Sequence, residues 1–127
     1  MSLPKVYIAG AITTDPNYLL KFERCQKMIE CFGVDVVNPC KLNHRKDATF
    51  QEHLRVDIAA MLLCDSVYFM KDWRQSRGAT MEMKMCLEFN INYLIEGFDN
   101  LSRVFYRDKI SNLAVTSDGQ IIEFQKL

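Results

Sequence analysis

The sequence carries no surplus of charge: sixteen Lys and Arg balance sixteen Asp and Glu. A chain that holds nucleic acid or an anionic membrane non-specifically needs a basic excess, so the balance argues against that class and leaves open only a local basic patch. No run of about 18 apolar residues occurs, so no membrane span is expected. The first residues lack the charged-then-apolar order of a secretory signal; Lys5 leads straight into a short strand-like run, and a cytoplasmic protein is expected. The five cysteines, Cys25, Cys31, Cys40, Cys64 and Cys86, are odd in number, and none stands at CxxC spacing. Cys25, Cys31, Cys64 and Cys86 fall in helix-like segments among apolar neighbours, which reads as buried reduced thiols. His44 and His53 have no paired ligand at helical or knuckle spacing, so no metal is expected. Internal repeats and low-complexity segments are missing as well.

What remains is a chain of 127 residues, 49% apolar, enough for one domain with a real core. "KVYIAG", residues 5–10, is a β-rich run stopped by Gly10. "ITTDPN" follows with helix-start chemistry, Asp15 as a cap and Pro16 in the first turn. From Tyr18 to Phe32 the apolar residues Leu19, Leu20, Phe22, Cys25, Met28, Ile29 and Phe32 recur at three- and four-residue steps, the mark of an amphipathic helix ended by Gly33. "VDVV" is a second strand. A helix is expected from about Phe50 to Cys64, with Thr49 and Glu52 making a capping box. "DSVYFM" is a third strand, a helix runs from Gly78 or Ala79 to about Asn90, and "INYLIEG" is a fourth strand. Strands alternating with helices predict an α/β sandwich with a mostly parallel sheet covered on both faces. The core spans 5–98, and "NLAVTSDGQIIEF" in the 99–127 extension reads as a hairpin that extends the sheet, covers an edge or pairs with a neighbouring subunit.

In such sheets ligands bind beyond the carboxyl ends of the strands. After the first strand, Gly10 either allows close approach of a ligand or only makes a turn, and the amides and hydroxyls from Ile12 to Thr14 can donate to phosphate or sugar oxygens. Asp57 lies mid-helix beside a stripe of Leu54, Ile58, Met61 and Leu62. It is either an exposed, ion-paired helical Asp or a carboxylate facing a cavity, with His53 and Arg55 nearby in sequence. Ser76-Arg77-Gly78 opens a helix, where free amides, the positive dipole end, a hydroxyl and a guanidinium can hold an anion. Glu82 comes about one turn inside. It is either favoured there by the dipole or leans back towards the same pocket.

"YIAGAIT", "RVDIAAMLLCDSVYFM" and "SRGATMEMKMCLEFN" together resemble the nucleoside 2-deoxyribosyltransferase-like superfamily, which includes the deoxynucleoside monophosphate N-glycosidases, over about residues 5–96. The resemblance implies a flavodoxin-like sandwich, a homodimer or higher homo-oligomer, no cofactor, and cleavage or transfer of the bond between a base and 2-deoxyribose. It maps the nucleophile onto Glu82, the proton donor or positioning acid onto Asp57, and a residue that orients the nucleophile or binds substrate onto Tyr7. The substrate side is carried by Gly10, Ile12, Thr13, Ser76, Arg77 and Gly78, with Trp73, Tyr7 or Phe69 stacking on the base. Nucleoside transferases tend to carry Asp where this chain has Ser76, whereas the monophosphate hydrolases carry Ser, so a 5′-monophosphate is favoured. The chain departs from the pattern at Ala11, where Pro is common, and by one extra residue between Asp65 and Glu82, near Trp73 and Arg74. The implied mechanism needs Glu82 ionised, as its place at a helix start suggests, and Asp57 shifted up by burial. A non-catalytic nucleotide or phosphosugar binding module on the same fold is the alternative.

Overall fold

The structure, a computed structural model, describes residues 4–98, 113–115 and 121–123. Four strands, β1 (Lys5–Ala9), β2 (Asp35–Val37), β3 (Ser66–Phe69) and β4 (Asn92–Ile95), alternate with three helices, α1 (Tyr18–Glu30), α2 (Phe50–Met61) and α3 (Arg77–Phe89). The strands form one all-parallel sheet in the order β2-β1-β3-β4. This is a flavodoxin-like or Rossmann-like α/β sandwich.

The topology explains where the layers lie. The chain steps outward from β1 to β2 and then returns across β1 to reach β3. Crossovers between parallel strands keep one hand, so this reversal sends α1 to one face and α2 and α3 to the other. Side chains of β1 and β3 alternate between the two layers. Val6, Ile8, Tyr68 and Met70 meet Phe22, Cys25 and Ile29 of α1. Tyr7, Ala9, Val67 and Phe69 meet Met61 of α2 and Ala79, Met83 and Cys86 of α3. Both central strands are therefore buried on both sides, which is why they read as continuous apolar runs.

Helix ends follow local chemistry. Thr49 caps α2 through its side chain, and Glu52 returns the bond to complete the capping box. Gly33, at φ +80°, and Asn90, at φ 55°, take the left-handed conformations that stop α1 and α3. The start of α1 differs from expectation. Asn17 is the cap residue, and Asp15 accepts from the Asn17 N–H instead, so the Asp-Pro pair makes the turn before the helix. The expected stripe of α1 is also narrower: Phe22, Cys25 and Ile29 are buried, but Leu19, Leu20 and Met28 are exposed. Cys25, Cys64 and Cys86 are buried, Cys31 is exposed, and no cysteine is in a disulfide. Cys31 loses its expected burial because it is the residue at which α1 ends.

The tail does form an antiparallel pair, β5 (Leu113–Val115) with β6 (Ile121–Glu123), but as a separate two-stranded sheet. It does not extend the parallel sheet, and its "SDG" turn lies outside the described residues. Among the described residues, no helix is long and apolar enough to cross a membrane.

Candidate functional site

Helix α3 buries one stripe, Ala79, Glu82, Met83 and Cys86, at the spacing of a helix face that meets a sheet. A carboxyl group on such a stripe is costly unless bonded. Glu82 is 5% exposed. Its Oε2 accepts a hydrogen bond from the Tyr7 hydroxyl at 2.5 Å. Tyr7 can reach it because the alternation of β1 points residue 7 into the α2/α3 layer. Burial pushes the Glu82 carboxyl up to about 8, against the lowering effect of the Tyr7 bond, and the neighbouring Asp57 adds to the rise. Burial and the Glu82 charge raise the Tyr7 phenol well above its ordinary range. The expectation that the helix start keeps Glu82 ionised is therefore overturned. Glu82 is the sixth residue of α3, and the dipole acts within the first turn.

Asp57 is on α2, the helix that covers the same layer. Its partner is neither His53 nor Arg55. His44, in the stretch between β2 and α2, places Nε2 2.8 Å from Asp57 Oδ1. The His44 ring lies 4.4 Å from that of His53, centroid to centroid. Burial raises the Asp57 carboxyl, opposed by the His44 bond. The stripe expected beside Asp57 is mostly not core: Met61 is buried, Leu54 and Ile58 are half-buried, and Leu62 is exposed. Leu54 faces the cavity described below. Among the described residues, no group of three or more His, Cys, Asp or Glu is placed to hold a metal ion.

The two helices that border the site have different N-termini. In α2 the capping box and the first-turn Glu52 satisfy and neutralise the positive end. In α3 the first turn holds no acid. Ser76 Oγ accepts from the Ala79 N–H at 3.1 Å. The N–H groups of Arg77 and Gly78 have no acceptor among the described residues. The Arg77 guanidinium has no carboxylate partner there and lies over the Phe50 ring, 4.4 Å from its centroid. The positive end of α3 is thus left open to an anion.

The loop after β1 forms another wall. A Cβ on Gly10 would stand 2.6 Å from Met70 Cε and 3.2 Å from Asp72 Oδ1, so a larger residue there would make the end of the Met70 side chain shift. Asp72 accepts from the Ala11 N–H at 3.1 Å and pairs with Lys21 Nζ at 2.5 Å. Lys21 also donates to the Ala11 carbonyl at 2.7 Å.

These walls enclose a cavity of about 510 Å³ at the carboxyl end of β1. Tyr7, Gly10, Ile12, Thr13, Asp57, Ser76, Arg77, Gly78 and Glu82 all line it, drawn together from three separate segments. Trp73 does not. The short 3-10 turn Trp73–Gln75 folds the Trp73 ring back onto Phe69, 5.4 Å away, and the Arg74 guanidinium lies over the same ring, 5.0 Å from its centroid. Phe69, fully buried beneath, does not reach the cavity either. The aromatic lining is supplied instead by Tyr18, Phe22 and Phe50, with His44 and His53. The sequence places His53 near Asp57 but offers nothing that brings His44 to the cavity. Phe50 at the start of α2 was the one readable signal.

The model of a family described as "Domain of unknown function (DUF4406)" matches residues 4–94, and the chain belongs to that family. No curated protein matches the chain.

Proposed function

We propose, from the geometry because the DUF4406 family names no activity, that this protein breaks or transfers the N-glycosidic bond of 2-deoxynucleosides or their 5′-monophosphates. One observation carries the reading: a glutamate on the buried stripe of α3, bonded by Tyr7, lines a cavity shared with a second carboxyl group, Asp57. A buried carboxyl group that serves packing alone is costly. One that attacks an electron-poor carbon needs this seclusion.

In this mechanism the ionised Glu82 carboxylate attacks C1′ as the bond from C1′ to the base nitrogen breaks. Asp57 gives its proton to the departing base. Water, or the nitrogen of an acceptor base, then attacks C1′; Asp57 takes the proton, and Glu82 leaves as carboxylate. With its carboxyl at about 8, roughly a tenth of Glu82 is ionised at pH 7 in the empty cavity. The Tyr7 hydrogen bond favours that reactive form. The bond from His44 orients the Asp57 carboxyl. The unneutralised end of α3, with Arg77 beside it, supports a 5′-phosphate on the sugar.

A second reading draws on the same carboxyl. Because Glu82 is mostly protonated at neutral pH, it is equally suited to donate a hydrogen bond to a nucleotide or phosphosugar that is held and not cleaved. Incubation with each deoxynucleoside and its monophosphate, followed by chromatography for free base, separates the two. Release of base supports glycosidic chemistry; binding by calorimetry without release supports the binding module. No release with any of them removes the enzyme reading. Sedimentation of the full chain tests the accompanying proposal of a homodimer or higher homo-oligomer.

A further inference from the structure

We propose that Lys21 and Asp72 are positioning residues: together they grip the backbone of Ala11 on both sides, at its N–H and its C=O, and hold the Gly10–Thr13 wall of the cavity in its ligand-binding geometry. Neither side chain lines the cavity. Asp72 Oδ1 accepts from the Ala11 N–H, Lys21 donates to the Ala11 carbonyl, and the two side chains close the ring through their own contact. The same ammonium reaches Asp15 Oδ2 at 3.1 Å. All three donors of Lys21 are thereby occupied, and the loop between β1 and α1 is tied down at both Ala11 and Asp15.

Two further observations give this arrangement a role beyond stability. The backbone at Gly10 runs close to Met70 and Asp72, the two residues that a Cβ there would meet, so the wall packs beside Asp72 as well as bonding to it. The wall also presents Ile12 and Thr13, whose N–H groups have no acceptor among the described residues, to the cavity. An ion pair whose members are each about a quarter exposed contributes little to global stability, on the order of 0–1 kcal/mol. A wall misplaced by about 1 Å, in contrast, costs a ligand much of its affinity. Sequence gave no sign of the pair, because its members are 51 positions apart.

The test uses the full chain with Lys21→Met, Asp72→Asn and the conservative Lys21→Arg. Its choice of probe, a deoxynucleoside 5′-monophosphate, rests on the function proposed above. Amide hydrogen exchange is followed by NMR at Ala11–Thr13 and, as a control, at Val67–Phe69 in β3. Steady-state kinetics are measured in parallel. In Lys21→Met and Asp72→Asn, exchange at Ala11 accelerates about tenfold or more while β3 is unchanged. KM rises about tenfold with kcat within about twofold, the signature of lost binding. Lys21→Arg recovers most of both. Unchanged exchange at Ala11, equal acceleration in β3, or a fall in kcat at constant KM overturns the proposal. Should the wild type release no base from any deoxynucleotide, the glycosidic reading falls, and the exchange comparison with its arginine rescue still decides whether the pair holds the wall.

Discussion

The Tyr7 hydroxyl donates to Glu82 Oε2 across 75 positions of sequence, linking the first strand of the sheet to the third helix over the floor of the cavity. Each group alters the other. Glu82 raises the phenol, and the phenol restrains the rise of the carboxyl.

Removing the hydroxyl is therefore expected to act on pH dependence as well as rate. The proposed mechanism needs Glu82 ionised and Asp57 protonated at once, so kcat/KM follows a bell whose alkaline limb lies at about 8. Tyr7→Phe removes a bond that lowers the Glu82 carboxyl, so the alkaline limb moves to higher pH and the height of the bell falls. At pH 7 the rate falls by on the order of tenfold to a hundredfold. A pH profile of both proteins checks this; limbs unmoved in Tyr7→Phe would show that Tyr7 does not govern the ionisation of Glu82.

Glu82→Gln is expected to abolish base release, by on the order of a thousandfold or more, while the fold persists. Its stability signature is separate from activity. The folded-state carboxyl lies at about 8, against 4.5 for the free group, so the folded protein holds the extra proton between these values. Stability from this group is complete below about 4.5 and is lost as pH rises through 8. Thermal denaturation should show the wild-type Tm dropping from pH 6 to pH 9 and the Gln variant losing much of that drop.

His44→Ala leaves the half-buried Asp57 without the bond that opposes its rise, so the Asp57 carboxyl moves further up. Loss of its orienting partner is expected to lower kcat about tenfold to a hundredfold. An unchanged kcat and an unchanged pH profile would show that Asp57 does not need His44.

Arg77→Ala takes the unpaired guanidinium from the open end of α3. For a 5′-monophosphate, KM is expected to rise about tenfold, equivalent to about 1.4 kcal/mol, whereas the matching nucleoside is unaffected. Equal effects on both would place the phosphate elsewhere.

The fold and most of the site could be read from local patterns, and the failures have physical causes. The parallel sheet followed from alternating strand and helix signals. Thr49 announced itself as a cap, Ser76-Arg77-Gly78 as the opening of a helix, and Glu82 by its place one turn inside that helix. His44 had no such signal, since the stretch before α2 has no periodicity against which an odd residue is visible. Trp73 misled because an aromatic beside a site was taken to face it. The 3-10 turn reverses it onto Phe69, a rotation that composition does not encode. The charge state of Glu82 was misjudged because the dipole argument counts only sequence position, whereas burial depends on the sheet beneath.

Helix α2 contributes a single fully buried residue, Met61, to the core. It nevertheless carries Phe50, His53 and Asp57 into the cavity. The cavity thus has one wall packed deeply on the sheet, bearing Tyr7 and Glu82, and one, α2, with a single buried residue. Elements with few buried contacts open at the smallest free-energy cost. Under the proposed function, the proton donor Asp57 therefore rides on the less deeply packed helix and the nucleophile Glu82 on the more deeply packed one.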